Sequence, residues 1–268
     1  MKNLKEYIVE GIFNVEDNID NVDESIREEI KHFLKDNFDG ASSCKISNKP
    51  NRDGKYEVSS NGNIMTENRG ITSLTNGLFI WTYVKGDFYC TYCKSLTSLE
   101  GAPKEVGKDF RCSDCTSLTS LEGSPKEVSG DFDCSICNSL TSLEGAPKEV
   151  GGNFSCGYCN SLTSLEGAPK EVGGNFSCFN CDSLTTLKGA PKKVGVDFSC
   201  FNCKSLTSLK GAPKVVGWNF NCHNCTSLIS LEGAPEKVGW NFNCIHCKAE
   251  FTEEDVKKVS NVEKMIRV

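Results

Sequence analysis

The sequence predicts an α+β repeat solenoid, a right-handed stack of rungs with a parallel β-sheet on one face and a helical cap at each end. The main observation is a 22-residue sequence repeat that occurs eight times in register. Its most regular copy begins at Gly152 (GNFSCGYCNSLTSLEGAPKEVG). The first cysteines of these copies, called repeats 1 to 8, are Cys90, Cys112, Cys134, Cys156, Cys178, Cys200, Cys222 and Cys244. The second observation is an amphipathic segment on either side of the array. A short fixed period is typical of stacked units that share one continuous core.

The composition narrows the class of protein. The 268 residues carry a net charge of −6, with both signs mixed along the chain, so nothing favours binding to nucleic acid or to an anionic membrane. The first residues lack the apolar run of a signal peptide, and no stretch approaches the roughly 20 apolar residues of a membrane span. We therefore expect a cytoplasmic protein whose cysteines stay reduced. Its oligomeric state is left open.

Residues 1–62 are predicted to form a helical cap followed by a linker or hairpin. Apolar residues recur at helical spacing in two segments, the first with Leu4, Tyr7, Ile8 and Ile12, the second with Val22, Ile26, Ile30, Phe33 and Leu34. Asp20 or Asn21 is the expected N-cap of the second helix, and Gly40 its stop. A separate helical domain is the alternative, although about 40 residues are few for independent folding.

The array itself is assigned to residues 63–247, beginning with a degenerate rung. Residues 55–59 (KYEVS) are expected to form a strand, and Asn61-Gly62 to form a hairpin turn. In the degenerate rung, Met65 and Asn68 are aligned with the two cysteines of a repeat. Residues 77–84 (GLFIWTYV) are apolar almost throughout and predict a buried strand that joins the cap to the array.

Each repeat is expected to contain one strand, one bend and one irregular segment. In repeat 4, Phe154 and Cys156 alternate with polar residues, which indicates a strand with both side chains inward. Cys159, Leu162 and Leu165 follow at intervals of three, as a chain curling round a narrow core requires. The Gly-Ala-Pro that follows excludes a helix. Because the strand side is the more crowded, we expect the sheet on the concave face.

Residues 248–268 are predicted to form a helical C-terminal cap. Thr252 is the expected N-cap, followed by three acidic residues in the first turn. Val256, Val259, Met265 and Ile266 are expected to give the helix one apolar face.

The pattern Phe-x-Cys-x-x-Cys-x-x-Leu-Thr resembles the leucine-rich repeat signature, in its cysteine-containing form. The LTSLEGAP half is similar to the short repeats of bacterial effector proteins and of BspA-like surface proteins. The resemblance covers residues of about 63–247 and implies a protein-binding solenoid of bacterial or phage origin. Phe and Cys replace Leu in the strand, and one extra residue precedes the next Leu. Some such effectors carry a ubiquitin-ligase domain, which the roughly 20 residues after the array are too few to form.

The cysteine pairs have two interpretations. Cys-x-x-Cys pairs separated by 18 residues fit the spacing of zinc sites, so a zinc-binding array that acts structurally or on nucleic acid is the alternative function. We favour structural thiols. The first cysteine lies in phase with inward Phe, and the second occupies the leucine-rich repeat ladder position, where a side chain bonds to the backbone. Asn68 in the same position of the degenerate rung supports this interpretation. Disulfides and thioredoxin-type redox chemistry are weaker alternatives.

The remaining cysteine, histidine and aspartate residues do not indicate an enzyme active site. Cys44 is interpreted as incidental, and His32 as a structural or surface residue. Asp87, Asp109, Asp131 and Asp197 share a position with Asn in other repeats and are expected to bond to the backbone rather than to calcium. Neither a catalytic set nor a phosphate-binding loop is present in the sequence. We expect a non-catalytic protein without a cofactor.

Function is expected where the repeats differ from one another. The variable positions alternate with inward residues of the strand and should lie on the exposed strand face. Early repeats carry charges there, including Arg111, and late repeats carry aromatic and amide side chains. The predicted partner-binding residues are Arg111, Tyr158, Phe179, Phe201, Trp218, His223, Trp240, Ile245 and His246. Neutral drift explains the Ser and Asn exchanges but not paired exposed Trp, so a protein partner is the favoured interpretation.

Overall fold

A computed structural model describes residues 19–268 as a parallel β-solenoid of about ten turns. Each turn contributes one strand to each of two sheets. The phenylalanine sheet, which contains the inward Phe of each repeat, has ten strands, and the valine sheet, which contains the valine that follows Gly-Ala-Pro, has eleven; in both sheets the strands lie side by side in chain order. Neighbouring strands are parallel, apart from one antiparallel pair at the start of the valine sheet, Cys44–Ile46 with Tyr56–Ser60. The prediction of a repeat solenoid with a parallel sheet is therefore confirmed.

The chain enters the stack through short elements. Helix α1 (Ile19–Asn37) is followed by a 3-10 turn (Ala41–Ser43), β1 (Cys44–Ile46), β2 (Tyr56–Ser60), β3 (Ile64–Met65) and β4 (Phe79–Val84). In repeats 1 to 8 the strands of the phenylalanine sheet are β5 (Phe88–Tyr89), β7 (Phe110–Arg111), β9 (Phe132–Asp133), β11 (Phe154–Ser155), β13 (Phe176–Ser177), β15 (Phe198–Ser199), β17 (Phe220–Asn221) and β19 (Asn241–Asn243).

Repeats 1 to 7 each have a second strand, which corrects the prediction of an irregular back segment. These strands are β6 (Glu105–Val106), β8 (Glu127–Val128), β10 (Glu149–Val150), β12 (Glu171–Val172), β14 (Lys193–Val194), β16 (Val215–Val216) and β18 (Lys237–Val238). Each valine is buried and the residue before it is exposed. Two residues are too few to show an alternating pattern in the sequence, so only the pairing between turns reveals this sheet.

The core between the sheets is a set of columns, each made of one residue type. The phenylalanine rings of repeats 1 to 8 stack along the solenoid axis, with centroids 5.1 Å apart between Phe154 and Phe176 and 5.5 Å apart between Phe88 and Phe110. Both inward leucines of repeats 1 to 7 and nearly all of the paired cysteines are also buried. Each side chain therefore packs against its own equivalent in the next turn.

The degenerate first rung is aligned one residue differently from the prediction. Ile64 pairs with Phe88 and Met65 with Tyr89, so the positions of the two cysteines fall to Thr66 and Arg69. Asn68 lies one position earlier, with a backbone φ of 52° that is shared by Tyr92 (φ 58°). The predicted alignment is wrong because Ile64, and not Met65, is the apolar residue whose burial sets the register. Asn68 is therefore not equivalent to the second cysteine and does not support a structural role for it.

The entry to the stack also differs from the expected hairpin. β2 belongs to the valine sheet and β3 to the phenylalanine sheet, so Asn61-Gly62 turns the chain from one sheet to the other. The strands expected at residues 55–59 and 77–84 are confirmed as β2 and β4.

Helix α1 packs on the first turns through its apolar face. Phe33 contacts Phe79, and Phe38, the first residue after the helix, contacts Trp81 and Phe88. Asp20 and Asn21 lie within the helix, so neither is its N-cap. The helix ends at Asn37, three residues before Gly40, the predicted stop, which has a φ of 85°. The helix predicted around Leu4 and Ile12 lies outside the described residues.

The C-terminal segment adds a turn rather than ending in a long helix. Helix α2 (Glu253–Val259) has Thr252 as its N-cap, as predicted, in a capping box with Asp255. Strands β20 (Asn261–Val262) and β21 (Met265–Arg267) then extend both sheets. Met265 and Ile266 therefore belong to a strand and not to a helix face, which corrects the prediction.

Candidate partner-binding surface

The second cysteines form a hydrogen-bonded ladder that links consecutive turns. The Sγ of Cys159 donates to the backbone oxygen of Cys134 at 3.2 Å, and that of Cys181 to the backbone oxygen of Cys156 at 3.2 Å. The same bond recurs from Cys115 to Cys247 at 3.0–3.3 Å. In the first repeat, Cys93 donates to the oxygen of Thr66. The predicted ladder role of this cysteine is therefore confirmed by its contacts.

Burial raises the pKa of Cys159 and Cys203, two of the ladder donors, well above the ordinary value, which favours the protonated thiol that a hydrogen-bond donor needs. Desolvation raises the pKa of the first cysteines well above the ordinary value in Cys90, Cys112, Cys134, Cys156, Cys178, Cys200 and Cys222. It raises the pKa of Cys181 to about 12. Cys93 and Cys247, at the two ends, differ: a hydrogen bond from a neighbouring thiol lowers the pKa of each.

The cysteines do not pair into disulfides. All seventeen are free thiols. Within residues 19–268, no group of three or more His, Cys, Asp or Glu side chains is arranged to hold a metal ion. No helix in the same part of the chain is long and apolar enough to cross a membrane.

A second ladder is built from the Asp and Asn residues that precede each inward Phe. The Oδ1 of Asp131 accepts the backbone N–H of Asn153 at 2.7 Å, and the Oδ1 of Asn153 accepts that of Asn175 at 2.8 Å. The same bond runs from Asn63 through Asp87 and Asp109 to Asn219. The predicted backbone role of these residues is correct, but the bonds join neighbouring turns rather than lying within one.

The residue before the second cysteine adopts a left-handed backbone in every turn. The column consists of Tyr92, Asp114, Ile136, Tyr158, Asn180, Asn202, Asn224 and His246, with φ values of 56–62°. Asn and Asp tolerate this conformation, whereas a β-branched or bulky residue is strained. Tyr92, Ile136 and Tyr158 are nevertheless present, with 50%, 37% and 47% of their surface exposed. Their side chains are therefore apolar, exposed and held on a strained backbone.

We expect Ile136→Asn to stabilise the fold by about 1 kcal/mol, because Asn removes left-handed strain from a β-branched residue at little loss of buried surface. The change copies Asn202, which has the same conformation (φ 57°). Chemical denaturation measures the effect, with Asn202→Ile as the reciprocal variant. A loss of stability in Ile136→Asn would show that the isoleucine makes contacts that outweigh its strain.

The predicted aromatic residues of the late repeats separate into two groups. The first, called the aromatic row, contains Tyr158, Phe179, Phe201 and His223. Phe179 stacks on Phe201 with centroids 4.9 Å apart, Phe201 stacks on His223 at 4.8 Å, and Tyr158 meets Phe179 edge-on at 5.3 Å. Because the ring faces cover one another, the row presents mainly ring edges to solvent. Burial, and then the neighbouring His246, lower the pKa of His223, which favours its neutral form.

Gly157 makes room for the start of this row. A Cβ atom at Gly157 would lie 2.9 Å from the Cζ of Phe179, so the glycine allows the ring to lie flat on the backbone of the previous turn. Ile245 continues the same column beyond His223 and is partly buried. His246 is exposed in the left-handed column beside it.

The second group, called the tryptophan pair, lies at the other end of the same strands. Trp218 and Trp240 stack with centroids 5.8 Å apart and leave 56% and 43% of their surfaces exposed. Lys264 places its Nζ 4.8 Å from the centre of the Trp240 ring, a cation–π contact. His223 lies five positions after Trp218, or about 16 Å along an extended chain. Asn221 and Asn243 occupy the outward position between the two groups.

Arg111 does not join either group. It forms an ion pair with Asp109 at 2.9 Å and lies over the ring of Tyr89, in repeats 1 and 2. Five turns, or about 24 Å, separate it from the tryptophan pair. The predicted partner-binding residues did not include Tyr92, Ile136 or Lys264, whose side chains are all exposed. Only the left-handed backbone, which a sequence column does not reveal, distinguishes the first two.

The two sheets and the cysteine ladder define a parallel β-solenoid built from cysteine-containing 22-residue repeats. No protein-family model matches the chain, and no curated protein or solved structure is similar enough to be matched with it.

Proposed function

We propose that this protein is a non-catalytic scaffold that binds a protein partner through the outer face of the phenylalanine sheet in the late repeats. The binding surface consists of the aromatic row, the tryptophan pair and the asparagines between them. It offers two apolar margins with a polar floor, the composition typical of a protein-binding hot spot.

The exposed tryptophan pair is the observation that carries this proposal. Repeats 3 to 5 have glycine at the equivalent position two residues before the inward phenylalanine (Gly130, Gly152 and Gly174), so the fold does not need a large side chain there. Two stacked, largely exposed indoles in consecutive turns expose apolar surface to water without contributing to the core. Such a patch is typical of a binding site.

The strained residues of the left-handed column support the same interpretation. Tyr92, Ile136 and Tyr158 hold apolar side chains in solvent on an unfavourable backbone. Strain that does not serve the fold is frequent at functional sites. Tyr158 also contacts the aromatic row directly, so one strained residue is continuous with the proposed surface.

The resemblance to leucine-rich repeats belongs to the proposal as well. Its support is the cysteine ladder, in which a side chain bonds to the backbone of the previous turn. We also propose that helix α1 covers the first turns of the stack, because Phe33 and Phe38 pack on Phe79, Trp81 and Phe88.

We expect the double variant Trp218→Ala, Trp240→Ala to lose partner capture by at least about tenfold, since truncation of a central aromatic residue typically costs 2 kcal/mol or more of binding energy. The measurement is affinity capture from an extract of the native host by the full chain, with quantitative mass spectrometry of the retained proteins. Folding is checked by circular dichroism.

Ile229→Ala is the matched control, because Ile229 is 63% exposed but lies outside the proposed surface. It should capture the same proteins as the unaltered chain. Equal capture by the double tryptophan variant, or an equal loss in the control, would contradict the proposal.

A further inference from the structure

One segment of each repeat, which runs from the second inward leucine to the buried valine of the valine sheet, changes the sign of its charge in repeats 5 and 6. The segment that begins at the second inward leucine reads LEGAPKEV, or LEGSPKEV, in repeats 1 to 4, with one lysine and two glutamates. In repeat 5 it reads LKGAPKKV, and in repeat 6 LKGAPKVV. The segment thus changes from a charge of −1 to +3 and +2, and returns to −1 in repeat 7, LEGAPEKV. Two separate columns switch from glutamate to lysine in the same turn.

The structure brings these lysines together into one cluster, called the lysine patch: Lys188, Lys192, Lys193, Lys210 and Lys214. Lys193 follows Glu171 and precedes Val215 in the exposed column of the valine sheet. The backbone N–H of Lys214 bonds to the oxygen of Lys192 at 3.0 Å, so these two residues occupy the same position in adjacent turns. Adjacent turns are about 4.8 Å apart, and the patch is therefore compact.

The carboxylates that balance the patch all belong to the flanking turns. Lys188 pairs with Glu166 at 2.7 Å, Lys210 with Glu232 at 3.0 Å, and Lys214 with Glu236 at 3.0 Å. Among residues 19–268, Lys192 and Lys193 have no carboxylate within ion-pairing distance. All of these groups are exposed, so the pairs are weak and can open for a ligand.

A shallow groove leads to the patch. It crosses repeats 3 to 5 and is lined by Pro147, Pro169, Gly151, Gly173 and Lys193, together with the Lys-Glu pairs of repeats 3 and 4. Glycine and proline leave the surface flat, so an extended chain can lie against it. Val215 is exposed in the middle of the lysine patch and offers one apolar contact.

We propose that the lysine patch is a docking site for an extended acidic segment of a polypeptide. Its charge is complementary to closely spaced carboxylates, and Val215 fits an apolar side chain among them. Nucleic acid fits less well, because no aromatic side chain in the patch can stack on a base and the chain as a whole carries a net charge of −6. The site is on the valine sheet and does not depend on the aromatic surface.

The repeats supply matched variants for the test. The double variant Lys188→Glu, Lys193→Glu converts the segment of repeat 5 into LEGAPKEV, which is the sequence of the same segment in repeats 3 and 4. Glu166→Lys with Glu171→Lys converts the segment of repeat 4 into the LKGAPKKV of repeat 5. Both products reproduce a segment that already folds in this chain, so a change in binding does not reflect misfolding. Thermal unfolding of each variant checks this.

Binding of a short fluorescein-labelled oligoglutamate peptide to the full chain is measured by fluorescence anisotropy at several salt concentrations. We expect binding that weakens as salt rises, a loss of at least about tenfold in the Lys188→Glu, Lys193→Glu variant, and tighter binding in the Glu166→Lys, Glu171→Lys variant. Absence of binding to the unaltered chain at low salt, or equal binding by all three proteins, would overturn the site. Tighter binding of a single-stranded oligonucleotide of equal charge would overturn the class of ligand.

Discussion

Replacing Phe154 with alanine is expected to lower the free energy of unfolding by about 3–5 kcal/mol, the usual loss for a buried phenylalanine. Phe154 lies in the middle of the ring stack, with Phe132 and Phe176 on its two faces at 5.2 and 5.1 Å. It is fully buried, so the change removes contacts on both sides and leaves a cavity between turns. Neighbouring turns provide no spare side chain to fill it.

The defect should also reduce cooperativity, because each turn of a solenoid is stabilised mainly by its neighbours. Urea denaturation followed by circular dichroism should show a lower midpoint and a broader or two-step transition. Phe201→Ala is the control, since this ring has the same stacking but lies partly exposed in the aromatic row. A comparable loss in both variants would show that burial in the ring stack is not the source of the stability.

Gly167→Ala is expected to destabilise the protein by about 3 kcal/mol or more, or to prevent folding. Gly167 has a φ of 93°, where an L-residue is strained. The added Cβ would lie 2.3 Å from the backbone N of Glu144 and from the carbonyl carbon of Leu143. The obstruction is main chain in the previous turn, which cannot move without disturbing both sheets.

The neighbouring Glu166→Ala provides the control for this prediction. Its side chain is exposed and makes only a surface ion pair with Lys188, so its loss should cost no more than about 0.5 kcal/mol. Thermal unfolding of the two variants compares them directly. If Gly167→Ala unfolded within a few degrees of Glu166→Ala, the tight approach of adjacent turns at this glycine would be disproved.

The two proposed surfaces use the same frame in the same way. Inward phenylalanine, cysteine, leucine and valine repeat almost unchanged, and the outward positions vary from turn to turn. The tryptophan pair and aromatic row lie on the phenylalanine sheet, and the lysine patch lies on the valine sheet. A solenoid can carry separate binding surfaces because each position along a column changes with little effect on its neighbours.

Local pattern was a reliable guide wherever a residue faces its own equivalent in the next turn. The alternation of Phe154 and Cys156 with polar neighbours predicted an inward strand, and the spacing to Leu162 and Leu165 predicted the bend. The same reasoning failed at the degenerate rung. Met65 resembles a buried residue in the sequence, but Ile64 fills the core and shifts the alignment by one.

Variation between the repeats predicts which residues belong to the proposed surface, but it does not predict how they are arranged on it. Trp218, Trp240, Phe179, Phe201 and His223 were all selected from their variation between repeats. Their separation into a row and a pair depends on where each strand starts and ends. Strands of two residues leave no recognisable pattern of their own.

The sequence by itself determined the period, the inward columns and the outward positions at which the repeats differ. These follow from the identity and spacing of residues, because burial selects the same side chain at every turn. Only the tertiary structure decided that there are two sheets, that Cys159 donates to the oxygen of Cys134, and that the lysines of repeats 5 and 6 form one patch. These features depend on hydrogen bonds and contacts between residues about 22 positions apart, which no local pattern records.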